Sequence, residues 1–562
     1  ALGLSVLPSD PRFSHVSRRR LLPPTLLGDE AVVTHLLRRE VLLTRLQQPQ
    51  EWDLAVIGGG AVGLGVALDA AVRGFSVVLV EAQDFAKGTS SRATKLAHGG
   101  VRYLAQGDFG LVREALHERG AMLANAPHVA QRLPFVMPTY HWWERSFYGA
   151  GLKAYDVMAG GQGLGGTEWL NSTRTRELLP GVQPRGLHGG VRYWDGQFDD
   201  ARLALLLART AAARGALLVN HCEAIALVRE KGQVRGLQVR DTEGGVKATL
   251  RARCVVNATG VWVDSIRDMD AEDGAPPRPR MVAPSQGVHL VVERHFMPGQ
   301  HALLVPKTED GRVLFAVPWL GKTILGTTDS PRNDLPLEPQ PLAEEVSFIL
   351  RESARYLLRA PQRNDVKSVW VGLRPLVRPQ SQRGEGSDAV STKTISREHT
   401  VVVGRSGLVT VTGGKWTTYR SMAEDVLAHC MARGLLPHKA GGVTARLPLI
   451  GAAPGRPLGE PPGEHLYGSE ATLLRTLPGA QKWLWREANG GLSEAMVRFA
   501  ARYEMARGVE DVLARRSRLL FLDAAEAARQ ADAVATILSD ELGHTVPSED
   551  FKNLAAQYLR LP

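Results

Sequence analysis

Cysteine is scarce in this chain: there are three in 562 residues, Cys222, Cys254 and Cys430. An odd number at wide spacing, with no C-x-x-C pair, argues against a disulfide framework and a zinc site and suits a reducing compartment. Long apolar runs are missing as well. The most apolar stretch, residues 54–68, is rich in Gly and stops at Asp69, so it reads as a strand and a turn, not as a bilayer-spanning helix. There is no recognised nucleic-acid motif and no Lys/Arg run interleaved with aromatics, which sets nucleic acid aside despite a formal charge of +10. That charge points instead to a phosphorylated substrate or an anionic lipid surface. No h-region of a signal peptide is evident. The first fifty residues carry Arg18, Arg19, Arg20, Arg38, Arg39 and Arg45, but also Asp10, Asp29, Glu30 and Glu40, more acid than a mitochondrial presequence carries. They are expected to form an N-terminal extension packed on the surface, with a short amphipathic helix over residues 31–46.

The length suggests two or three domains. Residues 53–57 form an apolar strand, 61–73 a helix of small residues closed by Gly74, and 76–80 a second strand. This is a β-α-β unit of about thirty residues. Helices are expected over 111–126, 201–214, 342–358 and from 414 towards 431. The glycine-rich stretch 149–166 reads as loop or short helices. Strands are expected over 216–220, 254–258, 287–292, 313–317, 323–325 and 401–403, with hairpins across 224–250. Residues 441–462 are rich in Pro and Gly and read as a linker. Beyond them, 470–559 has a helical pattern almost throughout, and its segment 503–522, with Arg515, Arg516 and Arg518, is expected to offer a basic face. No internal repeat is visible.

The turn between the first strand and helix reads Gly58-Gly59-Gly60-Ala61-Val62-Gly63, matching G-x-G-x-x-G. Gly58 makes the tight turn, Gly60 lets the backbone approach a pyrophosphate, and Gly63 lets the helix pack close to the sheet. The free N–H groups of the helix N-terminus favour the anion. Glu81, at the end of the second strand, can accept hydrogen bonds from ribose hydroxyls. The fingerprint alone serves NAD and FAD equally. Two further strands favour FAD: Val255-Val256-Asn257-Ala258-Thr259-Gly260, of the kind that flanks the ADP moiety in split dinucleotide domains, and residues 409–415, ending in Gly413-Gly414-Lys415 where another helix begins. A helix N-terminus there can stabilise negative charge on a reduced flavin.

These residues resemble the FAD-dependent, quinone-linked glycerol-3-phosphate dehydrogenase family. The most specific segment is Thr89-Ser90-Ser91-Arg92-Ala93-Thr94-Lys95-Leu96-Ala97-His98-Gly99-Gly100-Val101-Arg102-Tyr103-Leu104. Gly326-Thr327-Thr328-Asp329, Gly372-Leu373-Arg374-Pro375-Leu376, Ser396-Arg397-Glu398-His399 and Gly413-Gly414-Lys415-Trp416-Thr417-Thr418-Tyr419-Arg420 follow in the family's order. Leu64 departs from it, since the family has a small residue there, and residues 160–179 are more divergent. The absence of an EF-hand pattern resembles the bacterial and short forms, without calcium control. The resemblance implies an α/β plus α architecture: a discontinuous FAD-binding Rossmann-like domain (about 51–130, 185–275 and 400–430), an antiparallel-sheet substrate domain (about 131–184 and 276–399), the linker 441–462, and a C-terminal helical domain (463–562).

It also implies a reaction: hydride transfer from C2 of sn-glycerol 3-phosphate to flavin N5, giving dihydroxyacetone phosphate, with electrons passed to ubiquinone or menaquinone. Arg374 and Arg397 are expected on the phosphate, with Arg102 a third cation on substrate or flavin. His98 is the candidate base, His289 the weaker alternative, and Lys415 is expected near the flavin or the substrate hydroxyl. Thr89, Ser90, Ser91 and Lys95 are expected to line the flavin, with His98, Gly99, Gly260, Gly413, Gly414 and Thr417 also touching the cofactor. No metal is expected. Peripheral attachment to the cytoplasmic face of an inner membrane follows, with the mitochondrial inner membrane as the alternative; a homodimer is left open. The competing readings are a glycerol-3-phosphate oxidase using oxygen and an amine or amino-acid oxidase on the same fold.

Overall fold

The structure, a computed structural model, describes residues 37–100, 108–271, 278–309, 311–378 and 398–562. Strand Glu51–Ile57 is followed by helix Ala61–Val72 and strand Val77–Val80, closing the β-α-β unit. The first strand is paired in parallel on both sides, with Val77–Val80 and with Lys247–Asn257. A strand flanked on both sides and covered on both faces is a continuous apolar run, which is how Leu54, Ala55, Val56 and Ile57 read. The first sheet runs in the order His399–Val403, Val409–Gly413, Lys247–Asn257, Glu51–Ile57, Val77–Val80, Leu217–Val219. Neighbours this distant in sequence make the domain discontinuous. Helices Asp200–Ala213 and Tyr419–Ala432 both pack against Ala61–Val72. The hairpin Cys222–Glu230 and Gln233–Asp241 runs antiparallel into Lys247–Asn257.

A second sheet carries Val282–Glu293, Lys322–Gly326, Leu314–Trp319, Ala302–Val305, Ala130–Thr139 and Gly189–Phe198 in that order, with Ser368–Val377 along the outer side of Val282–Glu293. Among the described pairs it is antiparallel except where Ala302–Val305 meets Ala130–Thr139. Strand Gly189–Phe198 therefore belongs to this sheet, and the dinucleotide domain resumes at helix Asp200–Ala213 rather than near residue 185.

Three local expectations need correction. The glycine-rich stretch after residue 149 continues a 16-residue helix, Glu144–Ala159. Leu152, Tyr155 and Ala159 give it a buried face, and Gly149 admits the Trp169 indole, so packing outweighs the low helix propensity of glycine. The C-terminal region holds helices Glu494–Tyr503, Ala524–Leu542 and Glu549–Leu559, but also a hairpin, Trp483–Glu487 with Gly490–Ser493. Its two-residue turn is Ala488-Asn489, between the paired Glu487 and Gly490, and Ala488 takes φ +39°. Finally, Arg515, Arg516 and Arg518 form no basic face. All three are buried, with Arg515 and Arg516 on Asp84 and Arg518 on Asp199 and Asp200. These acids come from two segments, each more than 300 residues away in sequence, which a helical projection cannot show.

Residues 441–462 are a packed strap. Asn125 donates to the Thr444 carbonyl at 3.0 Å, the Ile450 N–H donates to Thr210 at 3.1 Å, and Leu449, Ile450 and Leu458 are buried. The expected helix near residues 31–46 is seen as Arg39–Gln47; residues 1–36 lie outside the described part.

Candidate active site

The glycine-rich turn is shaped by two contacts a side chain would prevent. Gly58 has φ +108°, and a Cβ there would lie 2.7 Å from the Ala258 carbonyl oxygen; a Cβ on Gly63 would collide with the Gly58 carbonyl. The turn is thus pressed between the Ala-Thr-Gly strand end and its own helix. Glu81 braces it: its carboxylate accepts from the Gly59 N–H at 2.6 Å and the Gln83 N–H at 2.9 Å. Burial raises the Glu81 carboxyl above its ordinary range, and these two N–H donors oppose the shift. Ser90 accepts from the Ala61 N–H at 2.9 Å, tying the 88–92 loop to the helix N-terminus.

A cavity of about 450 Å³ opens over this turn. Gly58, Gly60, Glu81, Thr89, Ser90, Gly260, Gly413, Gly414 and Lys415, all picked from the sequence, line it together. Three strand ends from three parts of the chain thus converge on one space. Gly60 faces it with only the Ser90 hydroxyl nearby, so the backbone is bare where a pyrophosphate needs close approach. The donor set fits an ADP-flavin: helix N–H groups for phosphate, a carboxylate for ribose, and a second helix start at Gly413-Gly414-Lys415. Thr412 donates to the Gly260 carbonyl at 3.0 Å and Trp416 to the Ser90 carbonyl at 2.8 Å, so these walls hold one another. Trp416, Trp262 and Lys87 also line the cavity. They carry no spacing signal; only the Gly-Gly-Lys-Trp string could have flagged Trp416.

The other candidates stand nearby or behind. Gly63 packs under the turn, and Thr417 is buried beside Trp416. Ser91 offers its carbonyl to both Lys95 and Arg518, each at 2.8 Å. Lys95, expected at the flavin, is fully buried away from the cavity lining, 2.7 Å from Asp200 and over the rings of Trp319, Trp370 and Phe521. Burial brings its ammonium down to about 7, against the pull of Asp200. His98 and Gly99 follow the short strand Leu96–Ala97, and the Gly99 N–H donates to the Tyr155 hydroxyl at 2.8 Å. Arg102 and Arg397 lie outside the described residues.

Arg374 sits on Ser368–Val377 between Leu373, whose carbonyl accepts from Thr89, and Pro375, which lines the cavity. Its guanidinium reaches the Gln286 carbonyl at 3.2 Å, Thr327 at 3.3 Å, the Thr328 carbonyl at 3.0 Å and Asp329 at 3.5 Å. On the paired strand, His289 stacks on Trp370 at 4.1 Å and meets Thr94 at 3.0 Å. Burial, then Lys95 and Arg374, hold its imidazole well below the ordinary range, so it is neutral. Its Nδ1 has no hydrogen-bond partner among the described residues.

Fold and site together define an FAD-dependent oxidoreductase. The FAD-dependent oxidoreductase family profile matches residues 53–420, and that of the C-terminal domain of alpha-glycerophosphate oxidase matches 464–547. Glycerol-3-phosphate dehydrogenase SDP6, mitochondrial, of Arabidopsis thaliana is 40% identical over 93% of this chain and 87% of its own. The Homo sapiens mitochondrial glycerol-3-phosphate dehydrogenase is 38% identical over 96% of this chain and 77% of its own. The structure of glycerol-3-phosphate dehydrogenase from Bacillus halodurans complexed with FAD superposes with a TM-score of 0.72 at 27% identity, covering 93% of this chain and 98% of that one. The chain belongs to the FAD-dependent glycerol-3-phosphate dehydrogenase family, and its cofactor is FAD.

Proposed function

We propose that this chain is a quinone-linked glycerol-3-phosphate dehydrogenase. It oxidises sn-glycerol 3-phosphate to dihydroxyacetone phosphate and delivers the electrons to a membrane quinone. The observation that carries the reading is the convergence of the three glycine-terminated strand ends on one cavity, with Arg374 one residue from its wall. Bound in that cavity, the flavin supplies the acceptor for the C2 hydride. Gly58, Gly60 and the first turn of Ala61–Val72 hold its phosphates, and Glu81 its ribose. Arg374, with Arg102 and Arg397, holds the substrate phosphate; Arg374 is already aimed by Thr327, Thr328 and Asp329 and needs little reorganisation to do so. Lys415, at a helix start on the cavity wall, would supply positive charge next to the bound cofactor.

His98 accepts the C2 hydroxyl proton in the first reading. His289 is the second, and a specific observation favours it: a neutral imidazole with an unpartnered ring nitrogen, beside Thr94, in the neighbourhood of Arg374. No helix among the described residues is long and apolar enough to cross a membrane, which is in keeping with a peripheral contact with a bilayer. The mitochondrial names of the relatives favour the mitochondrial inner membrane over a bacterial cytoplasmic face. Identity near 40% to dehydrogenases favours a quinone over oxygen as acceptor. The test follows reoxidation of the substrate-reduced enzyme: a quinone analogue should outrun air-saturated buffer, and the reverse order would make the protein an oxidase.

A further inference from the structure

Two backbone carbonyls receive the ends of the Arg374 guanidinium. Its Nη1 donates to the Gln286 carbonyl at 3.2 Å and its Nη2 to the Thr328 carbonyl at 3.0 Å. Gly287 clears the space beside them, since a Cβ there would run into the guanidinium. Gln286 belongs to strand Val282–Glu293 and Thr328 to the segment that follows strand Lys322–Gly326. The side chains of these two residues converge on a single group. The Gln286 amide and the Thr328 hydroxyl both donate to the Glu345 carboxylate, the hydroxyl at 2.8 Å.

Glu345 is buried, as are Gln286 and Thr328. It stands in the first turn of helix Ala343–Tyr356 and accepts a third hydrogen bond, from the Leu342 N–H at 3.0 Å. All three donors are neutral, and the helix N-terminus favours the anion. Capping the helix needs only the Leu342 contact; the other two bonds serve the strands. A carboxylate accepts on both oxygens, which no other side chain of this shape does. The remaining atoms of its two partners are also used. Gln286 Oε1 accepts from Arg332 at 2.8 Å, and Thr328 Oγ1 accepts from the Val288 N–H at 3.0 Å. Neither side chain can turn without giving up two hydrogen bonds.

We infer that Glu345 is a positioning residue for the reaction: through Gln286 and Thr328 it fixes the two carbonyls that aim Arg374 at the substrate phosphate. The inference rests on the phosphate role proposed for Arg374 above. Asp329, 3.5 Å from the same guanidinium, gives it a consequence. With the carbonyls loosened, the guanidinium can turn onto that carboxylate and away from a substrate dianion. The loss falls on binding of the phosphate group, so KM rises while kcat changes little.

The test uses the FAD-loaded full chain in steady-state assays with a water-soluble dye as acceptor. Glu345→Gln keeps the shape and turns one acceptor oxygen into a donor. It should raise KM for sn-glycerol 3-phosphate about tenfold, and the inhibition constant of inorganic phosphate in parallel, with kcat within about threefold of wild type. Thr328→Val breaks one arm of the link and keeps the carbonyl; it should raise KM about threefold, and it carries the test if Glu345→Gln is recovered without FAD. Glu352→Gln is the control. That carboxylate is equally buried, about two turns further along the same helix, and meets Arg355 instead, so KM should stay at the wild-type value. In an Arg374→Ala background, Glu345→Gln should change KM by less than about twofold, because its effect runs through Arg374. A wild-type KM in the FAD-loaded variants, an equal rise in Glu352→Gln, or full multiplication of the two effects in the double variant overturns the inference. Arg374→Ala alone reads the phosphate assignment. An unaltered KM there faults that assignment, whereas a raised KM there with a wild-type KM in Glu345→Gln faults the positioning role alone.

Discussion

At the scale of single residues, the proposed chemistry turns on Arg374 and on the choice of base. Arg374 lies in a nest of carbonyls and hydroxyls with Asp329 behind it, an arrangement that aims a guanidinium without neutralising it fully. Arg374→Ala should raise KM for sn-glycerol 3-phosphate on the order of 100-fold, the equivalent of about 3 kcal/mol for two charge-assisted hydrogen bonds. FAD content should not change; an unaltered KM in steady-state assays removes Arg374 from the phosphate site. The base is separable by single-turnover flavin reduction. If His289 takes the proton, His289→Asn slows reduction by roughly 100-fold or more while His98→Asn has a smaller effect. The opposite ranking would return the role to His98. Sequence alone ranked His98 first because it sits in the densest motif. It could not show the neutral state of His289, which is imposed by burial first and then by Lys95 and Arg374 across the fold.

At the scale of elements, the glycine-rich turn was legible because each glycine answers a local steric need that spacing reveals. Gly63→Val places a side chain against the Gly58 carbonyl, so the turn must open. The purified variant should emerge with little flavin absorbance; full FAD occupancy would show that the close packing is dispensable. The β-α-β unit was equally legible from its periodicity. Helix Glu144–Ala159 was not, since glycines at 149 and 151 look like loop signals until Trp169 is seen against the first of them. The hairpin near Asn489 was overlooked because the whole stretch 470–559 carries a helical pattern in sequence and the hairpin is only two short strands, Trp483–Glu487 and Gly490–Ser493. Strand Gly189–Phe198 was not foreseen, and the bound near residue 185 took it into the FAD-binding part, because partner choice is a tertiary fact: its register is set by Ala130–Thr139.

At the scale of the whole molecule, buried ion pairs join the C-terminal domain to the flavin loop. Lys87 pairs with Glu338 and Glu510, Arg515 and Arg516 with Asp84, and Arg518 with Asp200 beside Lys95. From sequence the same arginines looked like a solvated face, because burial by distant partners leaves no local pattern. Arg518→Met should cost about 3 kcal/mol or more in chemical denaturation, because Asp199 and Asp200 lose a buried partner; a wild-type midpoint would contradict that. Burial pushes the Glu510 carboxyl up, but Arg515 and Lys87 prevail and bring it down to about 2, from an ordinary 4.5. Its contribution is therefore full above pH 4.5 and is lost as pH falls towards 2. Glu510→Gln should flatten stability over that window; an unchanged slope would mean the pair contributes nothing. The central claim is that the cavity holding Gly58, Glu81, Gly260 and Lys415 carries an FAD that oxidises sn-glycerol 3-phosphate. The direct measurement adds that substrate anaerobically to the purified holoprotein and follows flavin absorbance. Stoichiometric bleaching with formation of dihydroxyacetone phosphate is the predicted result; a flavin that stays oxidised would contradict it.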